Sequence, residues 1–139
     1  MKQQIYITGL YLRLSRDDEQ QGESSSISTQ RQMLTQFCHE KGLRIYDEYV
    51  DDGYSGTNFD RPGFQRMLDD IEERKINCVI TKDLSRLGRN YVLTGQYTDI
   101  YFPSHNVRYI AIDDGVDSNK GESEIAPFLN ILNEKHARQ

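Results

Sequence analysis

The sequence alternates between short apolar segments and longer segments with the periodicity of amphipathic helices. Strand patterns fall at residues 10–14, 43–50, 77–81 and 107–113, and helical patterns separate them. A crossover that contains a helix returns the chain to the same end of a sheet, so neighbouring strands are expected to be parallel. The predicted fold class is α/β with three layers: a mostly parallel, mixed sheet with helices on both faces.

The first two helices have recognisable boundaries in the sequence. Ser26 or Ser28 is the predicted N-cap of the first helix, and Gly42 is its predicted stop. Asp60 is the predicted N-cap of the second helix, with Pro62 in the first turn, where the missing proline N–H is tolerated. Apolar residues after Pro62 recur at helical spacing, which predicts that one face of this helix is buried.

A third helix is predicted from Ser85 toward Phe102. It is expected to stop before Pro103, because proline disfavours the helical conformation in the residue that precedes it. A fourth helical pattern, EIAPFLNILNEKHARQ, follows the last strand and a polar loop. At 139 residues the chain is long enough for one domain with a sizeable core.

The composition is that of a polar globular chain with a net negative charge. Hydrophobic residues make up 36% and charged residues 28%, and a net charge of −5 accompanies a pI near 5.2. An acidic chain does not hold nucleic acid through bulk electrostatics, so any anion site is expected to be a local group of arginines. The sequence contains no apolar stretch of membrane-spanning length and no signal peptide, which predicts a cytoplasmic protein.

Cysteine and histidine usage predicts no metal site. Cys38 and Cys78 lie in the apolar segments MLTQFC and INCVIT, which favours a role as small core residues over a disulfide or a catalytic thiol. The three histidines are scattered and have no ligand spacing. No cofactor is predicted either.

The stretch GLYLRLSRD places polar and charged residues in an otherwise apolar strand. Strand side chains repeat every two residues, so the leucines at positions 10, 12 and 14 share one face and the alternate residues share the other. Those alternate residues are Tyr11, Arg13 and Ser15. A strand that is buried on both faces carries an arginine only where the guanidinium has something to bind.

Sites in parallel α/β sheets form outside the carboxyl ends of the strands. Ser15 ends the first strand, the turn DDGYSG follows the second, and LSRLGR follows the third. Six basic residues are therefore expected to converge around Ser15: Arg13, Arg16, Arg61, Lys82, Arg86 and Arg89. Arginine has the planar, permanently charged fork of donors that suits a phosphate, and no histidine falls at a strand end near Ser15. The pattern favours phosphoryl transfer by a nucleophilic serine over acyl transfer.

The runs YLRLS, SISTQ, DDGYSGTNFDRPGF and LSRLGR resemble, in this order and over essentially the whole chain, the catalytic domain of the serine recombinases, the resolvase–invertase family. The longer loops are most like those of the large serine recombinases of conjugative transposons and phage integrases. The resemblance implies a resolvase-like catalytic domain in residues 1–120. It also implies that residues 121–139 begin a long C-terminal helix, truncated before a DNA-binding region.

The resemblance also implies roles for individual residues. Ser15 matches the nucleophile that attacks a DNA phosphate, forms a 5′-phosphoserine link and releases a 3′-hydroxyl. The arginines that match those holding the scissile phosphate are Arg13, Arg61, Arg86 and Arg89, and the supporting positions are Tyr11, Gln30, Asp52 and Ser55. Ser85 stands where small resolvases carry an aspartate, so the general acid and base stay unassigned.

The same resemblance implies the partners of the protein. These are double-stranded DNA at specific recombination sites, bound through regions missing from this chain, and further copies of the protein in a homodimer or homotetramer. Neither a metal nor a nucleotide is required, because a phosphoserine bond retains the energy of the phosphodiester that it replaces.

Three other interpretations fit parts of the sequence. Asp51 and Asp52 could hold magnesium in a flavodoxin-like receiver domain, or serve a metal-dependent nuclease; the third interpretation is a non-catalytic interaction domain.

The polar loops Asp17–Ser25 and Gly53–Asp60 lead to a further expectation. Segments with so little apolar surface are predicted to be loosely held without DNA, which would leave Ser15 or Arg61 displaced.

Overall fold

The computed structural model describes residues 4–15 and 26–119. The strands are β1 (Ile7–Leu14), β2 (Arg44–Asp52), β3 (Cys78–Thr81), β4 (Arg108–Ala111) and β5 (Val116–Asp117). The helices are α1 (Ile27–Lys41), α2 (Pro62–Glu72), α3 (Leu84–Leu87), α4 (Tyr91–Gly95), a π-helical segment (Gln96–Tyr101) and α5 (Phe102–Ser104). The loop Asp17–Ser25 and the fourth helical pattern lie outside the described residues. No helix in the described ranges is both long enough and apolar enough to cross a membrane.

The five strands form one mixed sheet in the order β2-β1-β3-β4-β5. The first four are parallel, and β5 pairs with β4 in the antiparallel direction. The predicted fold class is therefore confirmed. β2 runs two residues further than predicted because it stays paired with β1 to the Leu14–Asp52 position. The short strand β5 was not predicted, since its two residues lie in a segment of loop composition.

β1 separates two hydrophobic cores. Tyr11 packs on one face with the apolar residues of α2, among them Phe64 and Met67. Leu10 and Leu12 pack on the other face, and their partners include Leu34 and Cys38 of α1. The alternation in β1 therefore separates two buried faces, as expected for a central strand covered by helices on both sides.

Both cysteines are buried and free, in agreement with their predicted place in the core. Burial raises the pKa of Cys38 to about 11 and that of Cys78 to about 12. These thiols stay protonated near neutral pH, which does not suit a nucleophile.

The predicted boundaries of α1 are confirmed, whereas the predicted N-cap of α2 is wrong. The Ser26 hydroxyl accepts a hydrogen bond from the Thr29 N–H, and Gly42 ends α1 in the left-handed conformation at φ 70°. α2 has Arg61, not Asp60, at its N-cap position, and the Arg61 side chain caps no N–H group. Pro62 lies in the first turn, as predicted.

The third predicted helix, from Ser85 to Phe102, begins within one residue of its predicted start, but its continuity and its C-terminal end are wrong. The chain leaves the helical conformation at Gly88, where the backbone is extended, and a new helix begins after Asn90. A Cβ on Gly88 would overlap the Phe59 ring and the Thr94 hydroxyl, so only glycine fits the close packing at this break. At the C-terminal end, the chain stays helical past Pro103, which lies in the first turn of α5 after the π-helical segment.

Candidate active site

Arg13 projects from the end of β1 into the protein and is fully buried. Its Nε donates a hydrogen bond to the Arg86 carbonyl oxygen at 3.0 Å, and its Nη1 donates to the Tyr54 carbonyl oxygen at 3.1 Å. Its Nη2 donates to the carbonyl oxygen of Ser85. The guanidinium therefore joins the turn after β2 to the helix after β3. These carbonyl oxygens are what the arginine binds in a strand that is buried on both faces.

Gln30 of α1 fixes the backbone of the same strand. Its Nε2 donates to the Arg13 carbonyl oxygen at 3.0 Å, and its Oε1 accepts from the Arg13 N–H at 3.3 Å. Ser15 is the first residue after β1 and is 7% exposed. A buried glutamine from α1 and the buried side chain of Arg13 thus define the backbone immediately before the serine.

Arg61 is also buried, and each of its three nitrogens donates a hydrogen bond. Nε donates to the Asn58 carbonyl oxygen at 2.9 Å, Nη1 to the Tyr11 hydroxyl at 2.7 Å, and Nη2 to the Leu87 carbonyl oxygen at 2.7 Å. The guanidinium carbon also lies 4.5 Å from the centre of the Phe59 ring, a cation–π contact.

The Tyr11 hydroxyl connects Arg61 to Asp51. It donates to Asp51 Oδ2 at 2.7 Å. The same carboxylate accepts the N–H of Gly63 at 2.7 Å and the N–H of Phe64 at 2.9 Å, so Asp51 supplies the cap that Arg61 does not give to α2. Burial is the main reason that the pKa of Tyr11 lies well above its usual value, which keeps the hydroxyl protonated as a donor.

The short helix α3 is held by side chains at both ends. Asp83 Oδ1 accepts the Arg86 N–H at 3.0 Å, and Asp114 Oδ2 accepts the Leu84 N–H at 2.6 Å. Its carbonyl oxygens at residues 85, 86 and 87 accept from Arg13 and Arg61. Arg86 is fully buried in this helix. The predicted convergence of Arg13, Arg61 and Arg86 is therefore a set of direct contacts through the backbone of α3.

Gly56 lies between the side chains of Arg13 and Arg89. The Arg89 N–H donates to the Gly56 carbonyl oxygen at 2.7 Å. A Cβ on Gly56 would lie 2.7 Å from Arg13 Nη2 and 2.9 Å from Arg89 Cγ, so the two arginine side chains pass closely over this glycine.

Two of the predicted supporting residues lie apart from these contacts. Asp52 is exposed at the end of β2, and the aspartate that joins the arginine network is its neighbour Asp51. Ser55 hydrogen-bonds within its own turn, to the Thr57 hydroxyl at 2.9 Å and to the Thr57 N–H at 3.1 Å. Their predicted roles stay predictions.

The magnesium interpretations required Asp51 and Asp52 to act together. Adjacent strand residues point to opposite faces of a sheet, and here Asp51 is buried while Asp52 is exposed. Three hydrogen bonds occupy the Asp51 carboxylate. Within residues 4–15 and 26–119, no group of three or more His, Cys, Asp or Glu side chains is placed to hold a metal ion.

The structure differs from the expectation of a loosely held Arg61. The segment Gly53–Asp60 is tied down by side-chain bonds such as that from the Asp60 N–H to Asn58 Oδ1 at 2.9 Å. The Tyr54 and Asn58 carbonyl oxygens hold site arginines, and Arg61 itself is 1% exposed. A polar segment gains order here because the buried guanidiniums require its carbonyl oxygens.

Sequence reasoning missed Asp51 as a member of this network. The signal was present in the spacing, because Asp51 follows Tyr49 by two residues and the two share the face of β2 that packs on α2. An aspartate on a buried face requires hydrogen-bond donors, and the first N–H groups of the next helix provide them.

A mostly parallel sheet, with a serine and buried arginines at the carboxyl ends of its strands, is the arrangement that the serine recombinase resemblance implied. The family model described as Resolvase, N terminal domain, matches residues 8–137. The chain therefore belongs to the resolvase N-terminal domain family. Over 65 residues, which are 47% of this chain and 78% of the relative, it is 38% identical to the uncharacterized immunity region protein 3 of Bacillus phage phi105.

Solved structures of serine recombinase catalytic domains are similar to this one. The N-terminal catalytic domain of TP901-1 integrase has a TM-score of 0.79 and 26% identity, covering 94% of this chain and 96% of its own. A resolvase family site-specific recombinase from Streptococcus pneumoniae has a TM-score of 0.72 and 28% identity, covering 97% and 90%. The catalytic domain of the IS607-like ISC1926 TnpA, at 20% identity and a TM-score of 0.64 over 94% and 82%, shares the fold.

Proposed function

We propose that this domain catalyses site-specific cleavage and rejoining of DNA, with Ser15 as the nucleophile. The observation that carries the proposal is the buried group of Arg13, Arg61 and Arg86 at the end of the strand that presents Ser15. Family membership and the likeness to an integrase and a site-specific recombinase support the same activity.

The proposed reaction is a transesterification. The Ser15 oxygen attacks the scissile phosphorus, the bond from phosphorus to the 3′ oxygen breaks, and the serine proton finally resides on the released 3′-hydroxyl. One phosphoester replaces another, so the reverse attack by a 3′-hydroxyl rejoins the strand without a metal or a nucleotide. Guanidiniums stabilise the charge on the attacking, bridging and leaving oxygens, and each such interaction is typically worth about 3–4 kcal/mol in the transition state.

Not every proposed residue acts in the same way. Arg86 and Arg89 are proposed to face the phosphate. Arg13 and Arg61 donate to the carbonyl oxygens of α3, so they also hold the backbone that carries Arg86. Gln30 is proposed to support Ser15 through the backbone of Arg13, and Tyr11 through Arg61. Asp52 and Ser55 are proposed to act in the DNA-bound assembly.

Further parts of the proposal concern the whole protein. We propose that residues 1–120 form the catalytic domain, that recognition of the recombination sites resides outside this chain, and that a homotetramer performs the exchange on two DNA sites. The receiver and the magnesium nuclease gain no support from Asp51, whose carboxylate is used within the fold. An inert Ser15 in the full-length protein would favour the non-catalytic domain.

The decisive experiment traps the covalent protein–DNA adduct of the full-length protein and maps the attachment residue by mass spectrometry. Attachment at Ser15 is expected. Ser15→Ala is expected to abolish the adduct and to leave binding of the recombination site nearly intact, since the change removes one hydroxyl. An adduct formed by the alanine variant would contradict the assignment and direct attention to Ser55 and Ser85.

A further inference from the structure

Asp51 is the point at which the sheet, the start of α2 and the side chain of Arg61 are joined. We propose that Asp51 is a positioning residue that acts through Tyr11 to fix the Arg61 guanidinium for catalysis. This inference rests on the proposed function, in which Arg61 stabilises the reacting phosphate. The sequence indicated Asp51 only as a metal ligand, whereas in the structure three hydrogen bonds within the fold use its carboxylate.

The direction of each hydrogen bond in the network is determined by chemistry. An ionised carboxylate only accepts, so the proton of the Tyr11 hydroxyl must lie toward Asp51 Oδ2 at 2.7 Å. The Tyr11 oxygen then has a lone pair directed to Arg61 Nη1, also at 2.7 Å. Reversal would require Arg61 to accept a hydrogen bond, which a guanidinium cannot do. The network therefore has one arrangement of donors and acceptors, and in it the Tyr11 oxygen holds Arg61 Nη1 while the Asn58 and Leu87 carbonyl oxygens hold the other two nitrogens.

Charge balance supports the same role. Arg61 and Asp51 are each 1% exposed, and a buried guanidinium is stable only when it is hydrogen-bonded and its charge is compensated. The Asn58 and Leu87 carbonyl oxygens and the Phe59 ring offer partial negative charge. Asp51, one hydroxyl away from Arg61, offers a full negative charge.

The backbone of α2 is shaped to admit the Asp51 carboxylate. A Cβ on Gly63 would lie 2.9 Å from Asp51 Oδ1, so the glycine leaves the space that the carboxylate occupies. Arg61 is the N-cap residue of the same helix. Asp51 therefore holds the backbone on one side of Arg61 by capping α2, and it holds the side chain of Arg61 through Tyr11.

The first test compares two tyrosines in the full-length protein. Tyr11→Phe removes the hydroxyl that links Asp51 to Arg61 and leaves the cap of α2 in place. Tyr49→Phe is the matched control, because Tyr49 is the register partner of Tyr11 and donates to another carboxylate, Asp70, at 2.6 Å. At saturating DNA, Tyr11→Phe is expected to slow adduct formation about 100-fold with unchanged DNA affinity, because a misplaced group loses most of its effect on the barrier. Tyr49→Phe is expected to match the wild type, and equal rates for the two variants would overturn the proposal.

The second test does not depend on cleavage. Thermal unfolding is measured for Asp51→Asn, Arg61→Gln and the double variant. The two single effects are expected to be non-additive, because each variant breaks the same network. Additive effects would show that Asp51 acts independently of Arg61 and would overturn the proposal. A wild-type protein that forms no adduct would contradict the proposed function alone, since the unfolding cycle still measures the link between Asp51 and Arg61.

Discussion

At the scale of single residues, the arginines of this domain have a structural use before any DNA is bound. Arg13 and Arg61 hold three consecutive carbonyl oxygens, at residues 85, 86 and 87. Each net hydrogen bond from a charged donor contributes about 1.5–3 kcal/mol in favourable cases. Burial of the two guanidiniums opposes that gain, which accounts for the number of acceptors each one requires.

Gly56 gives the most specific prediction at this scale. Gly56→Ala keeps an allowed backbone, since Gly56 is not among the glycines with positive φ, but its Cβ would lie 2.7 Å from Arg13 Nη2. Three carbonyl oxygens hold that guanidinium, so the side chain cannot simply swing away. Adduct formation is expected to slow by about 10- to 100-fold.

Gly42→Ala is the control for this prediction. Gly42 has φ 70°, and a Cβ at this position would have no atom within 4 Å, so alanine there costs about 1 kcal/mol of stability through the backbone alone. Measurement of melting temperature and cleavage rate for both variants separates the two effects. A cleavage rate that falls only in proportion to lost stability in Gly56→Ala would show that the close approach to Arg13 has no catalytic consequence.

At the scale of elements, the sequence predicted features that arise from local patterns of residues. It missed features that arise from contacts between residues far apart in the sequence. Strand alternation in β1 and the capping residues of α1 are local signals, and both appear in the structure. The close packing of Phe59 on Gly88 and the cap of α2 by Asp51 both involve residues that are distant in the sequence, so neither is visible from neighbouring residues. The same is true of the site. Its arginines were predicted from their place at the ends of strands, but the carbonyl oxygens that accept their hydrogen bonds were not predicted.

The N-caps of α3 and α4 give a prediction about pH. Asp83 caps α3 and Asn90 caps α4, each by accepting a backbone N–H at 3.0 Å and 3.1 Å. Burial by itself would raise the pKa of Asp83, but hydrogen bonds from Ser85 and Lys82 and the positive charge of Lys82 outweigh it and hold the pKa below its usual value. A lowered folded-state pKa stabilises the fold above the unfolded-state value of about 4, and this stabilisation is lost as pH falls through the folded-state value.

Replacement of each capping residue by alanine tests the predicted loss of stabilisation at low pH. Asp83→Ala and Asn90→Ala are both expected to lower the unfolding free energy by about 1 kcal/mol at pH 7. For Asp83→Ala the difference from the wild type is expected to shrink as pH falls below about 4, whereas for Asn90→Ala it should not change, because an amide does not titrate. Urea unfolding at a series of pH values measures both. A pH-independent difference for Asp83→Ala would mean that the ionised form contributes nothing beyond the cap.

At the scale of the whole molecule, the chain is net negative but buries several arginines close together. The net charge is −5, yet Arg13, Arg61 and Arg86 are all buried at one edge of the sheet. A chain with this charge distribution is expected to neutralise few DNA phosphates. The number neutralised determines how steeply the affinity for duplex DNA falls as the salt concentration rises. Weak binding of DNA by this domain would agree with the proposal that recognition of the site resides outside this chain.

The last prediction concerns DNA binding by this 139-residue chain alone. Its affinity for duplex DNA is expected to be in the weak, non-specific range of about 10⁻⁴–10⁻⁶ M at physiological salt, with little preference for sequence. Log affinity against log salt is expected to have a slope of roughly −1 to −3, corresponding to about one to three phosphates. Fluorescence anisotropy with a recombination-site duplex and a scrambled duplex of the same length measures both quantities. Nanomolar binding with strong preference for the recombination site would place recognition within this domain, and a slope far steeper than this would reveal a basic surface that the net charge conceals.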